Sequence, residues 1–353
     1  MQTMPSVKEK PKSSSPLKGF MGRRGVGQVV SVSVALALMI VAFSLLNRNF
    51  TSQRNITELL RQVSPILIIG IGQSYVLITA GIDLSIGSVV GMSSMMSATL
   101  MTKAGLDPFS ATLITIACCL LVGLINGTLV SRAKLPPFIA TLGTMIIARG
   151  IAQWVNANRN TDGIASQGFR NLFYYGKFLN FFAPLWIAVI LFVIFWFILS
   201  RTRVGRHIYA IGSNYEAAKF SGVNVAASET TAYVVSSFTA CVVGLILTAM
   251  SGMGAMDAGN GYELNAVAAS VIGGVSTMGG QGLLFGTVVG SCIWGVLNNG
   301  LQFAGAPQAL KNIVIGIVVI ISVLIDRVAR GSIIDIRKLL GLKKTPMIIK
   351  EEV

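Results

Sequence analysis

Ten apolar runs divide this chain, and its charged residues lie almost entirely in the gaps between them. The runs cover residues 29–46, 63–80, 86–101, 111–130, 138–155, 182–199, 230–250, 264–276, 283–301 and 310–325. Most approach the roughly 20 apolar residues that one bilayer crossing requires. Only 12% of the 353 residues are charged and 53% are hydrophobic; a soluble domain carries about twice that charged share. The pattern predicts an all-α fold, a polytopic transmembrane helical bundle of about ten helices. One run, 264–276, is too short to cross and ends in Gly273-Gly274, with Gly279-Gly280 beyond it. A broken or re-entrant segment is expected there, tolerated only where protein or a water-filled cavity receives its backbone.

Two runs flank Gly81-Ile82-Asp83-Leu84-Ser85-Ile86-Gly87. A carboxylate set between membrane-length apolar runs is costly unless water, a partner or a helix end receives it. The same order of glycine, any residue, acid, leucine and small polar residue returns at Gly261-Tyr262-Glu263-Leu264-Asn265. Gly123-Leu124-Ile125-Asn126 follows the first copy and Gly295-Val296-Leu297-Asn298 the second. Two markers recurring in one order predict one membrane unit used twice, as two repeats of about five helices. A further match, Gly87-Ser88-Val89-Val90-Gly91 with Gly286-Thr287-Val288-Val289-Gly290, stands outside that register.

With the N-terminus inside and every run crossing, nineteen of the 28 Lys and Arg residues fall on the cytoplasmic side, where membrane proteins concentrate them. Both termini are therefore expected in the cytoplasm, and the two units run in opposite senses. The expected division is a basic, disordered tail over 1–27, a membrane domain over 28–326 with a cytoplasmic loop at 200–229, and a basic tail over 327–353. The run 29–46 is too long for a signal-peptide core and lacks a small-residue cleavage site, so it reads as a retained helix.

The net charge of +15 sits in tails and loops, so it does not point to nucleic acid. Cys118, Cys119, Cys241 and Cys292 lie inside apolar runs and read as small apolar residues. They lack metal-ligand spacing, and His207, the only histidine, lies in a basic loop, so no metal site is expected. The sequence has no Gly-x-x-x-x-Gly-Lys-Ser/Thr phosphate loop and no nucleophile–base constellation. An enzyme is not expected, nor a cofactor of its own.

The candidate solute pathway comprises Gln73, Asp83, Ser85, Asn126, Glu263, Asn265, Asn298 and Asn299. Neutral amides and hydroxyls both donate and accept, which suits a polyhydroxylated solute. Each residue also has a plainer role open to it. Asp83 or Ser85 would cap the helix beginning near 86, and Glu263 or Asn265 the short helix after it. Asn126 and Asn298-Asn299 precede glycines at which helices end, and Gln73 serves equally as a helix–helix hydrogen bond. Simple crossing sets the two acids near opposite membrane faces. In the outer loop 156–180, Phe173, Tyr174, Tyr175 and Phe178 read as an interfacial aromatic belt, with contact to an external partner as the alternative.

In the loop 200–229 a short helix is predicted over 214–220, capped by Asn214 and ended by Gly222. A compact helix there suits docking to a partner; a charged connector anchored by Arg203 and Arg206 is the alternative.

Four motifs in order carry a family resemblance: Gly81 to Gly87 as above, Leu135-Pro136-Pro137-Phe138-Ile139-Ala140-Thr141-Leu142-Gly143, Glu216-Ala217-Ala218, and Val271-Ile272-Gly273-Gly274. From the second run to the tenth the chain resembles the permeases of ribose-type monosaccharide ABC importers. The resemblance implies a multi-pass permease subunit of the bacterial plasma (inner) membrane that forms a sugar's path and has no ATPase of its own. It implies four partners: a cytoplasmic ABC ATPase that uses the ATP, an extracytoplasmic sugar-binding protein, a second permease copy or paralogue, and membrane lipid. Glu216, Ala217 and Ala218 match the family's ATPase-coupling loop, with Asn214 capping it and Arg203 and Arg206 flanking it. The competing class is an ion-coupled secondary transporter of a small polar solute, which needs an ionisable or oxygen-rich site within the helices. A channel or membrane scaffold is the third.

Overall fold

Among the described residues, six helices are long and apolar enough to cross a membrane. The computed structural model describes residues 26–329, and thirteen α-helices occur among them. Ten correspond to the apolar runs: α1 (Val26–Leu46), α2 (Gln53–Ile78), α3 (Ile86–Thr102), α4 (Pro108–Ser131), α5 (Pro137–Trp154), α7 (Ala183–Arg201), α10 (Val225–Ser251), α11 (Tyr262–Ile272), α12 (Leu284–Phe303) and α13 (Gln308–Ala329). The remaining three are short: α6 (Gln167–Arg170), α8 (Arg203–Ser213) and α9 (Tyr215–Phe220). The tails expected at 1–27 and 327–353 lie outside the described residues, except 26–27 and 327–329, which belong to α1 and α13.

Helix ends follow from local chemistry. Asp107 accepts the N–H groups of Phe109 and Ser110 at 3.0 and 3.1 Å, with Pro108 in the first helical position of α4, where a missing N–H costs nothing. Asn224 caps α10 through Ala227 N at 3.0 Å, and Gly252, at φ 73°, ends it.

The core is built reciprocally. Helix α2 packs on α11 and α12, α10 packs on α3 and α4, and α2 and α10 pack on each other. Each leading helix is thus enclosed by the pair that follows the other, as a twice-used unit requires. Lipid offers no hydrophobic gain between apolar helices, so close approach and hydroxyl bonds hold them together. Gly72 of α2 lies against Ser236 and Thr239, and Gly127 of α4 against Thr230, with no room for a Cβ at either. On one side Ser74 meets Ser270 at 3.1 Å and Thr287 at 2.8 Å. On the other, Thr248 donates to Ser94 at 2.8 Å, and Ser93 to Cys241 O at 2.8 Å.

Beyond α7, residues 202–222 fold more fully than the sequence suggests. Thr202 caps α8, which buries Gly205, Ile208 and Ile211. Asn214 caps α9 through Ala217 N at 2.9 Å, and Gly222 follows at φ 80°, as predicted. At Gly212 a Cβ would collide with Ile78 O, so α8 rests directly on the end of α2. Gly280 N donates to the same carbonyl at 2.8 Å, and Tyr209 OH donates to Gly282 O at 2.7 Å; burial pushes the Tyr209 hydroxyl up to about 12.

The opposite face carries α6, a π-helical turn (Asn171–Tyr175) and a hairpin of β1 (Lys177–Phe178) with β2 (Phe181–Phe182). Its aromatic residues divide. Phe178 is exposed and stacks edge-on with Trp186 at 5.2 Å, whereas the Tyr174 and Phe182 rings hold the Arg61 guanidinium at 4.6 and 3.3 Å.

Candidate solute pathway

Asp83 is fully buried and has a complete set of donors. Its Oδ1 accepts Ser85 N at 2.8 Å and Ser85 Oγ at 2.6 Å, and its Oδ2 accepts Ser236 Oγ at 2.7 Å. Asn126 Nδ2 donates to Ser85 Oγ at 2.9 Å, and Thr144 Oγ1 donates to Asn126 Oδ1 at 2.6 Å. One network therefore joins the α2–α3 segment to α4, α5 and α10. Ser236 stands about 16 Å along α10 at 1.5 Å per residue, well inside the bundle.

The chain on the far side arrives at the same place. After α10, residues 252–261 turn back along α3: Ala255 N donates to Ser94 Oγ at 3.4 Å, and Gly259 abuts Gly87 O and Val90. Helix α11 begins there, after Gly261 at φ 77°, with Glu263 Oε2 against Gly87. The first turns of α3 and α11 thus touch. This overturns the expectation that the two acids lie near opposite faces. Irregular backbone precedes both α3 and α11 and brings their starts together, and a count of apolar runs does not register this. Neither helix start has the expected side-chain cap bond: Asp83 takes the N–H of Ser85, the residue before α3, and none of the N–H groups of the first turn of α3, and α11 has none either.

Arg149, on α5, secures the junction. Its guanidinium donates to Met256 O at 2.7 Å, Ala258 O at 3.0 Å and Gly87 O at 3.2 Å. With Glu263, Asn260, Gln153 and Ser88 it lines a cavity of about 350 Å³, walled on its apolar side by Met145 and Ile146. The α5 face beside this cavity is open: Ile146 and Ile147 are exposed, and nothing lies within 4 Å of a Cβ built on Gly143 or Gly150.

The structure thus unites Asp83, Ser85 and Asn126, and sets Glu263 beside them on the cavity. Gln73 is fully buried, and neither atom of its amide finds a partner among the described residues. Asn265 Oδ1 accepts Trp294 Nε1 at 3.1 Å, and Asn298 donates to Trp294 O of its own helix at 3.1 Å. Asn299 exchanges bonds of 2.9 and 3.1 Å with Asn55, apart from the network. Sequence reasoning missed Ser236, Thr144, Arg149, Asn260 and Gln153. Arg149 had a visible signal, a cation inside an apolar run; the others become polar contacts only through tertiary packing.

Across the molecule, Arg203, Arg206, Asn214, Glu216 and Ala217 are exposed around α8 and α9. Ala218 is buried against Ile211 and Val225, while Phe220 at the end of α9 is 85% exposed.

A family model described as branched-chain amino acid transport system / permease component matches residues 55–323, which span nearly all of this bundle. The chain belongs to this permease family. The permease is similar to the ribose import permease protein of Bacillus subtilis, 37% identical over 303 residues, covering 86% of this chain and 94% of that one. It is also similar to the D-allose transport system permease protein of Escherichia coli, 37% identical over 302 residues (83% and 89%). The galactose/methyl galactoside import permease protein of Salmonella typhimurium is 33% identical over 316 residues (84% and 93%). No solved structure matches the permease.

Proposed function

We propose that this permease is the membrane subunit of an ATP-driven monosaccharide importer and that the sugar passes the junction of α3 and α11. The cavity beside Arg149 and Glu263 carries the proposal. Its lining mixes a carboxylate, two amides and a hydroxyl with an apolar wall, which suits a ring that presents hydroxyls on its edge and C–H groups on its face. The relatives named above carry sugars. The family description favours a second reading, an amino acid zwitterion held between Arg149 and Glu263. Against it, Arg149 already directs three of its five N–H donors to backbone carbonyls, a structural bracing of the junction, and the same relatives carry sugars. The open α5 face is where a second permease copy would close the path. The chain has no phosphate loop, so a separate cytoplasmic ATPase would dock on α9, and an extracytoplasmic binding protein would deliver the sugar to the face bearing α6 and the hairpin.

The test is uptake into vesicles holding the permease, its ATPase and its binding protein. Labelled D-ribose, D-allose or D-galactose should enter only with hydrolysable ATP, and uptake should survive a protonophore. Uptake that collapses with the ion gradient would support ion coupling; L-leucine uptake in place of sugar would support the zwitterion.

A further inference from the structure

A second cavity, about 410 Å³, opens on the face that carries α8 and α9. Its lining comes from α9 (Tyr215, Glu216, Lys219), from Lys134 in the α4–α5 turn, and from the first turns of α10 (Glu229, Tyr233). Two of these side chains are built into the protein yet lack partners among the described residues. Glu229 is 8% exposed and its Oε2 accepts nothing; Tyr233 is 1% exposed and its hydroxyl is unbonded. A buried polar atom left unpaired costs about 1–3 kcal/mol, so such atoms mark where a ligand's donors belong. Lys134 does not supply them: its ammonium donates to the Tyr215 hydroxyl and forms no ion pair with Glu229 among the described residues. That bond leaves the Tyr215 proton free to donate.

We infer that this cleft is a second monosaccharide site, on the cytoplasmic side where imported sugar would be released. This inference rests on the sugar-importer reading above and extends it to the product. The two acids, Glu216 and Glu229, balance Lys134 and Lys219, so the cleft favours a neutral ligand over an ion. A carboxylate facing two adjacent hydroxyls accepts from both, and Tyr233 and Tyr215 each accept or donate. The volume lies in the range of small-ligand sites. A sugar held there would bridge α9 to the base of α10 and Lys134, and so accumulated product would slow further uptake.

Lys219→Cys, exposed at the rim, gives a readout in the purified full chain in detergent micelles. D-ribose, D-allose or D-galactose at millimolar concentration should slow maleimide labelling of that cysteine at least fivefold. Glu229→Gln should abolish the protection and leave the sugar-free rate unchanged; Tyr233→Phe is the second variant, should Glu229→Gln not accumulate. Labelling indifferent to all three sugars overturns the inference, as does protection that survives both variants. ATP-driven uptake in vesicles separates the two failures: transport without protection leaves the importer reading standing and removes only this site.

Discussion

Asn126 and Asn298 occupy matching places in the two sequence markers, yet only Asn126 reaches the network at Asp83. Its amide bonds both Ser85 and Thr144, while Asn298 bonds its own helix. Leucine at 126 removes two side-chain bonds, at about 1 kcal/mol each. It should therefore lower stability by about 1–2 kcal/mol, read as a lower unfolding midpoint in detergent, and cut uptake at least tenfold. Leucine at 298 should leave uptake within about twofold of the parent. Equal losses in the two variants would place both asparagines on the path. The marker was legible in the sequence because glycine spacing is local; the difference in role was not, because it depends on whether a polar residue happens to face α3 and α5 or its own helix turn.

At the scale of elements, what could be read depended on whether the signal was local. Asn214 and Gly222 announced α9, since a cap and a stop lie within one segment. Helix α8 was missed: Arg203, Arg206 and His207 interrupt the apolar positions Val204, Ile208 and Ile211, and the buried face emerges only against α2 and the 279–282 turn. The shortness of α11 was visible as a short apolar run, but the path of the preceding backbone 252–261 back along α3 was not, because nothing in its composition says which way it turns. The out-of-register glycine match also finds its reason. Gly87 and Gly91 of α3 receive residues 258–263, while Gly286 and Gly290 of α12 receive Gly273 and Ala269, so the two strips clamp one broken crossing from its two sides. The test of α9 as the coupling element is Ala217→Trp. Ala217 is exposed and Ala218 is packed, so a bulky ring at 217 should spare the fold, with an unchanged unfolding midpoint, and lower ATPase association or stimulation at least fivefold. Normal association together with normal uptake would return the loop to a connector.

For the whole molecule, the excess of Lys and Arg in alternate loops carries the proposal that α8 and α9 face the cytoplasm. Ser213 lies exposed at the end of α8. Ser213→Cys should resist a membrane-impermeant maleimide on intact cells and label in everted vesicles; labelling on intact cells would invert the orientation.

The reciprocal core also constrains how the protein is made. Ser74, on a helix that enters the membrane early, has partners in Ser270 and Thr287, the latter 213 residues further along. At about 5–20 residues per second of synthesis, α2 waits roughly 10–40 s for them. During that wait its hydroxyls and the Gln73 amide face lipid or temporary companions. A nascent first half thus lacks the partners of α2 until α11 and α12 are made, so slowing translation through those two helices should lengthen its exposure to membrane proteases and lower the yield of full-length protein.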